Sequence, residues 1–321
     1  MTIPQVETIR PREPDEDAFA AFLRAHPSLS AFAAALEARD RVLSLSLRAV
    51  YEMQGERLGR VADDILGFAQ AFYPADFVER YVGRVQALGR MQRRFDQQPC
   101  VATLGDPTAA VDRTDYDLAL LLSIVTAHHR FEILQALEAF YARAPRSGGR
   151  LACIGIGTGY ELVLAARGLR EWRIEGYDTD TRAHATTRAL FDHFGLDAGG
   201  VTLGQAFAID PPAEAARGAY DAMVLCELLE HVADPLAYLR AVRAGLRPEG
   251  RAFVTMAVRL AQEDHVFLYA DAPECRAQIA EAGLVVEEER LTPATLFAFD
   301  PAEREQHFVR GNYVAVVRAG A

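Results

Sequence analysis

A doubly wound α/β sheet preceded by an all-helical half is the architecture this sequence predicts, on three observations. Residues 150–161, RLACIGIGTGYE, run from an apolar β-prone stretch through Gly155, Gly157 and Gly159 into the start of a helix. From there to residue 318, strand-like and helix-like segments alternate, which is the pattern of a mostly parallel sheet. Before residue 145, apolar residues instead recur at roughly helical spacing.

Taken in order, residues 1–14 read as a flexible lead-in and 15–147 as a helical N-terminal domain that caps a substrate or mediates dimerisation. Within it, Phe32, Leu36, Val42, Leu43, Leu47 and Val50 predict a helix over 30–51. Helices over 63–73 and 75–94 flank Pro74, which cannot continue a helix interior. Turn formers at 96–114 predict a structured loop, and a helix over 115–144 follows. The Pro-Arg-Ser-Gly-Gly run at 145–149 is the boundary to a second domain, 148–321. There the strands are expected at 151–155, 173–177, 201–203, 222–226, 251–257, 285–289 and 312–318. Helices are expected at 160–167, 181–194, 235–246 and 273–282. No helix separates the last two strands.

Composition narrows the partners. A net charge of −11 opposes a phosphate backbone, whose binding rests on basic contacts. All 34 basic residues are arginine, so a Walker lysine and a lysine Schiff base are excluded. Cys100, Cys153, Cys226 and Cys275 form no C-x-x-C pair and predict neither a thiolate zinc site nor a disulfide framework. No apolar run approaches the roughly 20 residues that span a bilayer, and the acidic, Pro-containing start is unlike a secretory signal. The expectation is a cytoplasmic protein without membrane or nucleic-acid partners.

The glycine turn carries the chemistry. Glycines let a backbone pass close to a ligand, and the helix that follows directs its first N–H groups at it. A dinucleotide fingerprint would need its third glycine at position 160, where this chain has Tyr160. Asp178 ends the second predicted strand, 23 residues after Gly155, where a carboxylate can accept from both hydroxyls of a ribose. Asp180 or Thr179 better suits the cap of the next helix. After the fourth strand comes CELLEHVADP, residues 226–235.

Together these three elements resemble the class I S-adenosylmethionine-dependent methyltransferases, over about residues 148–318. The resemblance implies a seven-stranded sheet with an antiparallel final hairpin and S-adenosylmethionine as cofactor, released as S-adenosylhomocysteine. It places Gly155, Gly157, Gly159 and Glu161 at the methionine end, Asp178 on the ribose and Gln205 and Ala206 near adenine, with Cys226 a further cofactor-binding residue. Cys153 departs from the family, which usually has an acidic residue there.

Glu227, Glu230 and His231 stand at i, i+3 and i+4, and share one face if the segment is helical. His265 follows the fifth strand in the segment EDHVF. This pattern is similar to the metal site of small-RNA 2′-O-methyltransferases, and ubiquinone-pathway O-methyltransferases carry a like segment. The resemblance implies that Glu227, Glu230, His231 and His265 hold Mg²⁺, Mn²⁺ or Zn²⁺; the alternative is that they shape the pocket without metal. His231 and His265 are the candidate catalytic residues, since imidazole titrates near neutrality. His128, His129, Tyr116 and Tyr160 are further pocket candidates, and 292–311, with His307 and Phe308, reads as a lid.

The expected activity is methylation of a small molecule, on oxygen, in specialised or cofactor biosynthesis. A homodimer through the helical half is the expected assembly. An RNA or peptide-carboxylate methyltransferase, an NAD-dependent oxidoreductase and a non-catalytic cofactor-binding module are the rivals.

Overall fold

The computed structural model describes residues 16–99, 112–145, 148–209, 216–294 and 310–320. Five helices open the chain: α1 Glu16–Ala25, α2 Pro27–Arg39, α3 Arg41–Gln54, α4 Glu56–Phe72 and α5 Phe77–Gln97. Two more, α6 Arg113–Thr126 and α7 His128–Ala142, lead to the sheet.

Two long helices expected from the sequence are each broken in two. The stretch over 30–51 divides at Asp40, whose side chain accepts from the N–H groups of Val42 and Leu43 and so starts α3. Apolar spacing alone runs on through Val42, but Val42 lies beyond this break and is exposed. The stretch over 115–144 divides at Ala127, which is extended. No proline or glycine lies there. Instead Thr126 is held by the Tyr81 hydroxyl of α5, and buried Ala127 turns the chain between two packed helices. His128 and His129 therefore open a helix rather than lie within one. That puts them on a first turn that faces inward.

The second half alternates as expected. The sheet comprises β1 Arg150–Ile154, β2 Arg173–Tyr177, β3 Val201–Gly204, β4 Tyr220–Leu225, β5 Leu246–Val258, β6 Leu284–Pro293 and β7 Gly311–Ala319. Between them lie α8 Tyr160–Gly168, α9 Thr181–His193, α10 Pro235–Gly245 and α11 Ala272–Glu281. Aspartates cap three of these helices: Asp180 for α9, Asp234 for α10 with Pro235 at its first position, and Asp271 for α11. Strand order is β3-β2-β1-β4-β5-β7-β6, with β7 antiparallel to both neighbours. The order reverses between β1 and β4, and a cleft opens above that point, where ligands bind in open α/β sheets.

Period-two alternation sends each strand's side chains to two cores. Leu151, Cys153, Val314 and Val316 face the helical half, while Ala152, Ile154, Ala315 and Val317 face α10 and α11. The first core runs without interruption from Phe22 of α1 through Phe131 of α7 to Phe253 of β5. The N-terminal helices thus share a core with one face of the sheet, and that contact lowers α5, α6 and α7 over the cleft. Among the described residues no helix is long and apolar enough to cross a membrane.

Candidate functional site

The cleft holds a cavity of about 560 Å³. Its floor comes from the strand ends, through Gly155, Gly157, Asp178, Gln205, Ala206 and Cys226. Its roof comes from the helices, through Arg84, Gln92, Tyr116 and His129.

All three glycines after β1 have positive φ, but they do different work. Gly157 lines the cavity, and a Cβ there would point into the cradle and crowd Leu120. Gly159 does not line it. It caps α8 in the left-handed region, with φ of 85°, and a Cβ would overlap the buried Thr187 of α9. Its role is packing between two helices. Tyr160 likewise turns away from the cavity and is buried in the core.

Asp178 faces the cavity and stitches the corner together. One carboxylate oxygen accepts from the Gly157 N–H at 3.0 Å and the other from the Asp180 N–H at 2.9 Å. Each oxygen keeps a further lone pair for a ligand hydroxyl. Gln205, Ala206 and Phe207 continue the wall beyond β3, where the Tyr177 and Phe207 rings meet edge to face at 5.2 Å.

The segment after β4 is not the regular helix that would align Glu227, Glu230 and His231. Only Leu229–His231 makes a 3-10 turn, and Glu227 adopts φ of 53°, a conformation rare for a residue with a Cβ. Thr255 of β5 holds it there: its Oγ1 accepts from the Glu227 N–H at 2.7 Å and donates to the Glu227 carboxylate at 2.6 Å. Asn312 donates to the other oxygen at 2.5 Å, and Arg130 approaches it at 3.3 Å. Glu227 is consequently separated from Glu230 and His231, contrary to the one-face arrangement. It spends its carboxylate on β5, β7 and α7.

Glu230, His231 and His265 do converge, with one ligand atom from each within 4.8 Å of the others. The two imidazoles meet edge to face at 4.7 Å. His231 Nδ1 lies 3.2 Å from the Asp264 carboxylate, and His265 Nδ1 lies 2.9 Å from the Leu260 carbonyl. Each ring thereby has one nitrogen held by an oxygen and its Nε2 left over. Metal-binding histidines have this arrangement, which also fits a proton acceptor.

Without metal the two rings share charge unequally. Burial opposes a charge on His231, but the Asp264 hydrogen bond and nearby Glu230 outweigh it and raise its pKa to about 9. Burial and the charge on His231 push His265 down to about 3. Burial, then Glu227, raises Glu230. A histidine raised in the fold contributes stability that is complete below its unfolded pKa, about 6.5, and lost as pH rises through about 9. Chelator-treated protein should therefore melt roughly 4–8 °C lower at pH 9.5 than at pH 6.5, following a loss on the order of 3 kcal/mol. His231→Gln should abolish most of that slope. A flat wild-type profile would mean that the His231–Asp264 pair is not formed.

The roof supplies Arg130, which no sequence motif assigned, beside His129 and Tyr116, two of the pocket candidates from the sequence. Arg130 sits on the same face of α7 as buried Leu134, Leu137 and Tyr141, which was the available signal: an arginine on an apolar stripe. His129 is only 6% exposed, and its Nδ1 has no partner among the described residues. Burial, then the Arg130 charge, keeps its pKa near 3 and the ring neutral. Tyr116 faces Asp264, and Arg113 stacks on the Tyr116 ring at 4.8 Å. His307, Phe308 and most of the expected lid lie outside the described residues.

A family model for a methyltransferase domain matches residues 126–288, just over half of the sequence. The chain belongs to this methyltransferase family. It is a class I S-adenosylmethionine-dependent methyltransferase. The match starts at the break before α7, so the methyltransferase unit includes the helix carrying His129 and Arg130. No curated protein matches the sequence. Among solved structures, the methyltransferase is similar to Haemonchus contortus phosphoethanolamine N-methyltransferase 2 in complex with phosphomonomethylethanolamine and S-adenosylhomocysteine. That pair shares 14% identity over 66% of this chain and 61% of the other, with a TM-score of 0.49. It is also similar to Burkholderia thailandensis 1,6-didemethyltoxoflavin-N1-methyltransferase, at 15% identity over 59% and 77% of the two chains and a TM-score of 0.44. A Mesorhizobium loti S-adenosylmethionine-dependent methyltransferase aligns at 16% identity over 57% and 96%, with a TM-score of 0.44.

Proposed function

We propose that this methyltransferase acts on a hydroxyl of a small molecule enclosed between the sheet and the N-terminal helices. The observation carrying this reading is the roof. Helices α5 and α6 contribute Arg84, Val85, Leu88, Gln92, Tyr116 and Leu120 to the cavity wall, so an acceptor sits inside a mixed apolar and polar chamber. A polymer would need an open groove, and the net charge of −11 adds repulsion toward nucleic acid.

In this reading Gly155, Gly157 and Glu161 border the methionine end of the cofactor. Asp178 holds the ribose, Gln205 and Ala206 flank adenine, and Cys226 floors the pocket. Gly159 supports the turn from behind. The cofactor supplies an activated methyl group, and the chain supplies alignment and a dry chamber. His265, neutral and with Nε2 free of its backbone tether, accepts a hydrogen bond from the acceptor hydroxyl and passes that proton on to water as the methyl is transferred. Its depressed pKa does not let it keep the proton. The charged His231 beside it stabilises the developing oxyanion. The helical N-terminal domain caps the substrate, and the exposed Val42, Leu45 and Met53 on α3 support a homodimer through that half.

A second reading is favoured by the convergence of Glu230, His231 and His265. Two imidazoles and one carboxylate, with Nδ1 atoms tethered to Asp264 and Leu260, form a donor set suited to a divalent ion. Such an ion would polarise the acceptor oxygen. Metal analysis of protein purified without chelator decides between the readings. Metal-assisted chemistry predicts a stoichiometric ion that is lost in Glu230→Ala and His265→Ala, with activity falling in parallel after chelation. Unchanged activity after chelation leaves His265 as the proton relay.

For the reaction itself, a panel of hydroxylated, aminated and carboxylated small acceptors is incubated with S-adenosylmethionine and read by mass spectrometry. Products one methyl heavier from the hydroxyl set are expected. Turnover confined to amines or carboxylates would overturn O-methylation while keeping the methyltransferase.

A further inference from the structure

Arg130 and Glu161 are opposite, half-buried charges that line the same cavity, and each keeps hydrogen-bonding capacity that the protein itself does not use. Arg130 stands on the first turn of α7, and its single ion-pair partner among the described residues is Glu227, at 3.3 Å. A guanidinium has five N–H donors, so one such contact leaves most of its fork available. Glu161 lies on the first turn of α8, directly after the glycine corner. No side chain among the described residues donates a hydrogen bond to its carboxylate, which lines the cavity. The last turn of α7 is tied to the first turn of α8 by the Tyr141 hydroxyl, which donates to the Glu161 carbonyl at 3.3 Å. Cys153, beneath them, is buried and brings no charge.

We propose that Arg130 and Glu161 clamp the amino-acid end of the cofactor, with Arg130 taking the α-carboxylate and Glu161 the α-ammonium. Glu227, fixed by Thr255 and Asn312, is the positioning residue that aims the guanidinium. The charges balance. Glu161, Glu227 and Arg130 sum to one negative charge, while the ammonium, sulfonium and carboxylate of S-adenosylmethionine sum to one positive charge. A buried cluster is stable only when its charges are paired in this way. The clamp rests on the cofactor reading above, and the experiment separates the two.

Calorimetry on the full chain uses four ligands. They are S-adenosylhomocysteine, its analogue lacking only the carboxylate, its analogue lacking only the amino group, and 5′-methylthioadenosine, which lacks the whole amino-acid end. Wild type should bind S-adenosylhomocysteine roughly 10- to 100-fold more tightly than either single-deletion analogue, as lost charged hydrogen bonds require. Arg130→Met should lower S-adenosylhomocysteine affinity to that of the carboxylate-free analogue and leave that analogue's affinity unchanged. Glu161→Gln should do the same with the amino-free analogue. Unchanged 5′-methylthioadenosine binding in both variants shows that the fold and the nucleoside site survive. Variants that weaken S-adenosylhomocysteine and the matched analogue equally, or weaken neither, overturn the clamp. A wild type that binds neither S-adenosylhomocysteine nor 5′-methylthioadenosine removes the cofactor reading itself, and the clamp with it.

Discussion

Asp178→Ala is expected to weaken S-adenosylhomocysteine binding by roughly 1–3 kcal/mol, about 5- to 150-fold, the cost of removing a charged hydrogen-bond partner. The loss has two sources. The variant removes the carboxylate that faces the cavity from the end of β2. It also frees the N–H groups of Gly157 and Asp180, which the same carboxylate holds at 3.0 and 2.9 Å. Water can reach those amides in the open cleft, so the fold should survive while the turn loosens. Asp178→Asn retains one acceptor oxygen and should fall between wild type and alanine. Titration calorimetry reads this directly, and 5′-methylthioadenosine should weaken in parallel because it carries the same ribose. An alanine variant with wild-type affinity for both ligands would mean that the ribose lies elsewhere.

Gly159→Ala should cost stability rather than contacts with a ligand. At φ of 85° any side chain is strained, by roughly 1–2 kcal/mol. The new Cβ also meets Thr187, which cannot swing aside: it is buried and its hydroxyl donates to the Ala183 carbonyl at 2.8 Å. Overpacking of this kind adds roughly 1–3 kcal/mol. A total near 2–5 kcal/mol is expected, read as a lower melting temperature or denaturant midpoint. Adding Thr187→Ala should recover part of the loss, since it removes the nearest atom but not the backbone strain. Additive effects of the two changes would show that helices α8 and α9 do not meet at this point.

The contrast between these two glycines shows how far a motif can be read. G-x-G-x-G identifies the turn correctly, because a chain that leaves a strand and enters a helix over a ligand needs positive φ. It does not say which glycine touches the ligand. That depends on α9, whose Thr187 arrives from elsewhere in the chain. The same holds for CELLEHVADP. Its spacing put three side chains on one helical face, but Thr255 of β5 holds Glu227 at positive φ and turns it toward Arg130 instead. His265, 34 residues beyond His231, is brought to it by the return of the chain after β5.

By itself the sequence determined the alternation of strands and helices, the glycine corner, Asp178 at the end of its strand and the class of cofactor. The first three follow from local rules, since side-chain periodicity, helix caps and the conformational freedom of glycine act over a few residues. The class of cofactor follows instead from the resemblance of these elements to the class I methyltransferases. Tertiary structure alone decided the break at Ala127, the inward aim of Arg130, the separation of Glu227 from Glu230 and the roof over the cavity. Each depends on a partner far away in the chain, Tyr81 for the helix break and Thr255 for the strained glutamate. Such partners meet only once the helical half and the sheet share a core, so no window of neighbouring residues carries their signal.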